Sequence, residues 1–147
     1  MLNGHTALVT GSTQGIGLAI AQAMARAGAD VVMHGIEPVA QGEAIAAELA
    51  AANAVRAAYV RANLAEAGEA EGLVAAATAA LRHPDILANN AGIQYTCPIE
   101  SFPLERWNAI IAVNLSAAFM LMKAAVPGMR ARGWGRIVNI ASLQSYR

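Results

Sequence analysis

The segment Thr10-Gly11-Ser12-Thr13-Gln14-Gly15-Ile16-Gly17 stands between a short apolar run and a helical pattern. The run, Thr6 to Thr10, reads as a buried strand, and Ile16 to Ala27 reads as a helix that Gly28 stops. A strand that turns straight into a helix leaves the helix's first N–H groups without partners and gives that end a partial positive charge. Glycine permits the tight turn and lets backbone approach an anion such as a pyrophosphate closely. The spacing here is G-x3-G-x-G rather than the commoner G-x-G-x-x-G. Glycines in such a turn can also be purely structural, so the reading rests on what the rest of the chain supplies.

The rest repeats the same alternation. Asp30 to Met33 predicts a second strand, and Pro38 opens a helix that runs to Ala52. Val55 to Val60 predicts a third strand, less apolar and so placed at an edge. Glu66 to Leu81 predicts a helix that His83-Pro84 breaks. Ile86 to Ala88 predicts a fourth strand running into Asn89-Asn90-Ala91-Gly92. Pro103 opens a long helix to Arg132, with a kink predicted at Pro127. Gly133 and Gly135 end it, and Ile137 to Ile140 predicts a fifth strand. Strands that alternate with helices, with no hairpin signal, form a parallel sheet covered on both faces by right-handed crossovers. A single α/β domain over residues 1–147 is the expectation.

Composition removes several functions. The 147 residues are 56% hydrophobic and 14% charged, too apolar for a disordered chain. Ten basic and ten acidic residues cancel, which argues against a general electrostatic grip on nucleic acid. The single cysteine, Cys97, excludes an internal disulfide and a multi-cysteine metal cluster, and before Pro98 it reads as a loop thiol. His5, His34 and His83 lie far apart without carboxylates at ligand spacing, so no metal site is expected and all three read as structurally ordinary. No uninterrupted apolar run of about 18 residues appears. The nearest, Ile110 to Met122, is broken by Asn114 and Ser116, so no membrane partner is expected. The N-terminus lacks the basic and apolar regions of a signal peptide, which places the chain in the cytoplasm as an expectation.

The T-G-x3-G-I-G turn, the N-N-A-G after the fourth strand, an asparagine in the long helix and the I-A-S after the fifth strand form a set. Their order and spacing resemble the short-chain dehydrogenase/reductase family, across all 147 residues. More narrowly the chain looks like the 3-hydroxybutyrate dehydrogenases. That likeness rests on Met1-Leu2-Asn3-Gly4, on Asn90-Ala91-Gly92-Ile93-Gln94, and on Trp134-Gly135-Arg136-Ile137-Val138-Asn139-Ile140-Ala141-Ser142. The resemblance implies a Rossmann-like, doubly wound parallel sheet in strand order 3-2-1-4-5. It implies an oxidoreductase that moves hydride between a nicotinamide dinucleotide and a small hydroxy acid such as 3-hydroxybutyrate. The cofactor residues it implies are Gly11, Thr13, Gln14, Gly15, Ile16, Gly17, Ile36, Glu37, Asn63, Leu64, Asn90, Ala91 and Gly92.

Asn114 matches the family asparagine that holds a water in a proton relay; the alternative is a polar side chain bonding within a bent helix. Ser142 matches the catalytic serine that orients the substrate carbonyl; the alternative is a serine capping a strand end. Gln94 falls where a glutamine helps hold the substrate carboxylate, or else faces solvent. Gln144, a further substrate candidate, stands where the hydroxybutyrate enzymes often carry histidine. Asn63 stands for the family's adenine-contacting aspartate. Gly35 occupies the position of the ribose-binding aspartate of NAD-preferring members, with Glu37 close by. No arginine or lysine lies between Asp30 and Arg56 to meet a 2′-phosphate, so NAD is expected over NADP.

In the family a Tyr-x3-Lys pair follows the serine and supplies the base, the lysine lowering the tyrosine pKa. Counted from Ser142, that pair falls just beyond Arg147, and Tyr146 has no lysine behind it. The expectation is an N-terminal portion of a family member, truncated before the sixth strand. Its fifth strand would have an unpaired edge, and its 103–132 helix would offer a homo-oligomer surface. A nucleotide-binding chain without turnover, a fragment or pseudoenzyme, stands as the alternative function.

Overall fold

The computed structural model describes residues 1–142. Five strands, β1 Thr6–Val9, β2 Asp30–Gly35, β3 Ala57–Arg61, β4 Ile86–Asn89 and β5 Arg136–Asn139, form one parallel sheet in the order β3-β2-β1-β4-β5. Helices α1 Gly15–Arg26, α2 Val39–Asn53, α3 Ala67–Ala80, α4 Leu104–Ile111 and α5 Ala117–Ala131 connect them. The order is the expected one, and β3 lies at an edge as its weaker apolar character predicts. β3 starts later than expected, because Arg56 leaves the strand to clasp Asp30. Its N–H donates to Oδ1 at 2.9 Å and its Nη2 to Oδ2 at 2.6 Å.

β1 is buried on both faces, and its side chains alternate between two cores. Ala7 and Val9 join Val31, Met33, Ile86, Ala21, Ala25 and Leu49 beneath α1 and α2. Leu8 joins Val32, Leu87, Leu73, Val74 and Leu121 beneath α3 and α5. Alanines at the helix contacts let the helices sit close to the sheet. A buried polar clasp closes the opposite, amino edge. The Asp85 carboxylate receives the Thr6 N–H at 3.0 Å, Arg82 Nη2 at 2.9 Å and Arg132 Nε at 2.9 Å. It thereby ties β1, the approach to β4 and the end of α5 together.

The long helix departs from expectation in one respect. Its irregularity falls at a π-helical turn, Ala112–Ser116, and α5 continues through Pro127. Ala125 and Met129, on either side of Pro127, are buried, and their packing offsets the hydrogen bond that proline removes. The run Leu104–Ala131 reaches a mean hydropathy of 1.9 over 18 residues, so by length and composition it could cross a membrane. Here Ala117, Leu121, Ala125 and Met129 make its buried face. Leu104, Trp107, Leu115 and Phe119 are exposed, as are Val138 and Ile140 on and just past β5, which among the described residues pairs only with β4.

Burial raises the Asp85 carboxyl, but the Thr6 N–H and the two guanidiniums outweigh it and hold it below its usual value. A carboxyl with a lowered folded pKa adds stability above its unfolded value, and that contribution is lost as pH falls through the folded value. Asp85→Asn is therefore expected to lose about 1.5–3 kcal/mol in urea unfolding at neutral pH. The gap to wild type should shrink in acid. An undiminished gap at low pH would show that the charge does not act through this clasp.

Candidate functional site

Parallel strands bring their carboxyl ends to one edge, and a cleft of about 360 Å³ opens there. Its walls are Gly11, Thr13 and Gln14 after β1, residues 34–37 after β2, residues 63–65 after β3, and residues 90–93 after β4. Val113 of the π-helical turn completes it.

Thr10 fixes the two central walls against each other. Its Oγ1 accepts the Asn90 N–H at 2.9 Å and the Ala91 N–H at 3.0 Å. Asn90 Nδ2 returns bonds to the Thr10 and Gly11 carbonyls at 2.9 and 3.1 Å. Gly11 (φ +61°) and Gly15 (φ +56°) take left-handed conformations that side chains resist. A Cβ on Gly17 would collide with the Gly11 carbonyl and the Asn90 amide. α1 begins after an extended Gln14 with no side-chain cap and no acid in its first turn. Its leading N–H groups are left for an anion, the cradle that a dinucleotide pyrophosphate requires.

Glu37 stands on the facing wall. Thr13 Oγ1 donates to its Oε1 at 2.8 Å, and the Tyr59 hydroxyl donates to its backbone carbonyl at 3.0 Å. A Cβ on Gly35 would fall on Glu37 Oε2. Glu37 thus fills the volume a side chain at position 35 would take. Burial raises its carboxyl, yet the Thr13, backbone and Tyr59 hydrogen bonds prevail and hold it below its usual value. Tyr59 is pushed up by burial and then by the Glu37 charge. Register pairs Gly35 with Arg61, whose Nε donates to the Ile36 carbonyl at 3.2 Å. A cation thus reaches this rim from β3, beyond the span from Asp30 to Arg56 that carries none between its ends.

His34 corrects the view that the histidines are ordinary. It is 2% exposed and lines the cleft. The Gly11 N–H donates to its Nδ1 at 3.1 Å, and its Nε2 lies 3.0 Å from the Ala62 carbonyl. Nδ1 is therefore the acceptor and Nε2 carries the proton. Burial lowers its pKa, against the Ala62 bond and the Glu37 charge. Thr10 and His34 were both missed as site residues. The available signal was a polar residue closing an apolar strand at the carboxyl edge.

The other expected residues divide. Gly11, Thr13, Gln14, Ile36, Glu37, Asn63, Leu64, Asn90, Ala91 and Gly92 line the cleft. Gly15, Ile16 and Gly17 do not; they form the first turn of α1 beside it. Asn63 Oδ1, expected toward adenine, accepts the Ala65 N–H at 3.1 Å, an Asx turn that leaves one lone pair. Asn114 clamps Ile93, accepting its N–H and donating to its carbonyl, both at 2.9 Å. The amide keeps one further donor for a water. Gln94 is exposed beside that clamp, and Ser142 is exposed beyond β5; neither lines the cleft. Gln144 lies outside the described residues.

The short chain dehydrogenase family model matches residues 5–147. The chain is 49% identical over 143 residues to D-beta-hydroxybutyrate dehydrogenase of Cupriavidus necator, covering 97% of this chain and 54% of that protein. It is 42% identical over 137 residues to the enzyme of the same name from Rhizobium meliloti, covering 93% and 53%. The chain thus spans about half the length of these curated relatives. A crystal structure of 3-oxoacyl (acyl-carrier-protein) reductase from Agrobacterium tumefaciens with NADP bound superposes with a TM-score of 0.88. It is 38% identical and covers 97% of this chain and 54% of that one.

Thr10→Val preserves shape and removes the acceptor for two N–H groups. A buried donor left unpaired costs about 1–3 kcal/mol. Urea unfolding is expected to show a loss of about 2 kcal/mol or more, with faster hydrogen exchange at Asn90 and Ala91. Unchanged exchange there would mean that Thr10 does not hold the walls together.

Proposed function

The chain belongs to the short-chain dehydrogenase family, and from that premise we propose that it binds NAD at the carboxyl edge of its sheet to oxidise or reduce a small hydroxy acid. The hydroxybutyrate dehydrogenases among its relatives support 3-hydroxybutyrate as that substrate. The observation that carries the reading is the pairing, across one cleft, of an uncapped helix start with the charged Glu37 carboxylate. Bound there, the dinucleotide would supply hydride-transfer chemistry.

The residues have distinct parts in this reading. The α1 start and the Gly11 turn hold the pyrophosphate. Glu37 accepts from the adenosine ribose hydroxyls and repels a 2′-phosphate, in place of the aspartate that Gly35 lacks. Asn63 and Leu64 border the adenine, and Asn90, Ala91 and Gly92 the ribose. Ser142 donates to the substrate carbonyl oxygen. Gln94 and Gln144 hold the substrate carboxylate as neutral amides. Asn114 keeps Ile93 and its loop in place and offers its spare donor to a water. The same reading sets the protein in the cytoplasm as a homo-oligomer joined through the exposed face of residues 104–131. NADP in the Agrobacterium relative favours the other cofactor, and Arg61 gives it a nearby cation. The Glu37 carboxylate, which lines the cleft as Arg61 does not, supports NAD here.

A second reading, nucleotide binding without turnover, is supported by the cleft itself, whose lining holds most of the expected cofactor residues but neither Gln94 nor Ser142. Calorimetric titration with NAD and NADP, with NADH formation from racemic 3-hydroxybutyrate, separates the cases. Turnover supports the first reading, and binding alone supports the second. Failure to bind either dinucleotide overturns both. Glu37→Gln is expected to shift preference toward NADP by roughly tenfold, about 1.4 kcal/mol. An unmoved ratio would show that Glu37 does not discriminate.

A further inference from the structure

His34 is a crossbar under the cleft. On one side its Nδ1 takes the N–H of Gly11, the first glycine of the turn. On the other its Nε2–H reaches Ala62 O, next to Asn63 and Leu64 of the opposite wall. Its own backbone is tied to the turn as well. The Ser12 N–H donates to His34 O at 2.8 Å, and the His34 N–H donates to Ser12 Oγ at 2.9 Å. The ring is thus the side chain that spans from the turn to the β3 wall. Only one protonation state satisfies both of its contacts. A second proton would put an N–H on Nδ1, facing the N–H of Gly11, and two donors cannot share a hydrogen bond.

From this geometry we infer that His34 is a positioning residue for dinucleotide binding, holding the Gly11 turn only while neutral, so that proton uptake at His34 releases the turn and weakens the nucleotide. The inference rests on the nucleotide-binding reading above. It concerns how the turn is held rather than what binds there.

The direction with pH follows from the surroundings. Burial holds the His34 pKa below its usual value, so the ring is neutral at physiological pH. A contact that requires the neutral ring is complete above the usual histidine value and is lost as pH falls through the folded one. Glu37 is the group whose charge acts on the ring; the elements packed around it also carry Asp30 at the far end of β2, Tyr59 and Arg61 on β3, and Glu71 and Glu69 on α3, the last accepting the Asn63 N–H. The glycine turn carries none. Glu37, held below its usual value, and Tyr59, held above its own, keep their charge states over the window of interest.

The test joins two readouts on the whole chain. Nitrogen-15 NMR should find His34 as the Nε2–H tautomer at pH 7.5, with a scalar coupling between the Gly11 nitrogen and Nδ1. That coupling and the Gly11 amide protection should vanish together on acidification. NAD affinity by calorimetry should fall about tenfold in wild type once pH is taken about one unit below the His34 midpoint that the NMR titration locates, since only the neutral ring holds the turn. His34→Asn places a non-titrating acceptor near the Nδ1 position and should flatten the profile, whatever its absolute affinity. His34→Gln, whose amide falls nearer Nε2, should bind weakly throughout. A proton on Nδ1 at pH 7.5, or equal pH profiles for wild type and His34→Asn, would overturn the inference. Should His34→Asn fail to fold, the wild-type NMR titration decides alone. Absence of NAD binding at every pH would instead remove the functional reading, while the Gly11 coupling still settles what His34 holds.

Discussion

Where β1 ends, the chain must leave a fully buried strand and turn at once into a helix, and its polar groups need partners there. The hydroxyl of Thr10 supplies them, taking the N–H groups of Asn90 and Ala91 while Asn90 bonds back to the Thr10 and Gly11 carbonyls. A buried, unpaired backbone donor is costly, so these bonds set the height of the N-N-A-G segment against the glycine turn. The rest of the cleft is built out from that knot. Gly17 permits α1 to start directly over it, and His34 braces it from the β2 side.

The two edges of the sheet divide the work. The amino edge carries Asp85, whose carboxylate is engaged by three donors from three elements. Those donors are spent on that carboxylate, and the clasp serves stability. The carboxyl edge leaves donors open instead, at the uncapped start of α1, and sets a charged carboxylate across from them. Among the described residues the helix start has no side-chain cap and the carboxylate is held by hydroxyl and backbone groups rather than by an ion pair, and both arrangements are unfavourable in isolation. Their concentration around one cleft is what a binding site looks like when local stability is given up for recognition.

The long apolar helix illustrates how composition and context differ. Leu104–Ala131 has the length and hydropathy of a membrane span, yet Ala117, Leu121, Ala125 and Met129 form a stripe at helical spacing that packs toward α3 and the sheet. The expected irregularity at Pro127 moves to residues 112–116, where the wider turn presents Asn114 to the backbone of Ile93. π-helical turns often mark functional positions, and this one sets a cleft residue, Val113, beside that clamp.

Much of this was legible in the residues alone. The order 3-2-1-4-5 was what the resemblance to the short-chain dehydrogenase/reductase family implied, whereas the five strands and their helices followed from apolar runs and glycine and proline stops. Those signals are local, because they concern what a segment can do with its own backbone. Most of the cleft's lining was legible through the same resemblance, whose motifs follow directly on the strand ends. Tertiary structure decided the partnerships. That Glu37 takes the space beside Gly35, that Arg61 arrives at the same rim through strand register, that Asn63 turns on Ala65 and that Asn114 grips Ile93 all depend on which side chains the fold brings within reach. His34 is the clearest case: as a residue it is an isolated histidine ending an apolar strand, and only the pairing of β2 between β1 and β3 puts Gly11 on one ring nitrogen and Ala62 on the other. A hydrogen bond is specified by two positions and an angle, and sequence spacing contains neither when the partners lie on different strands.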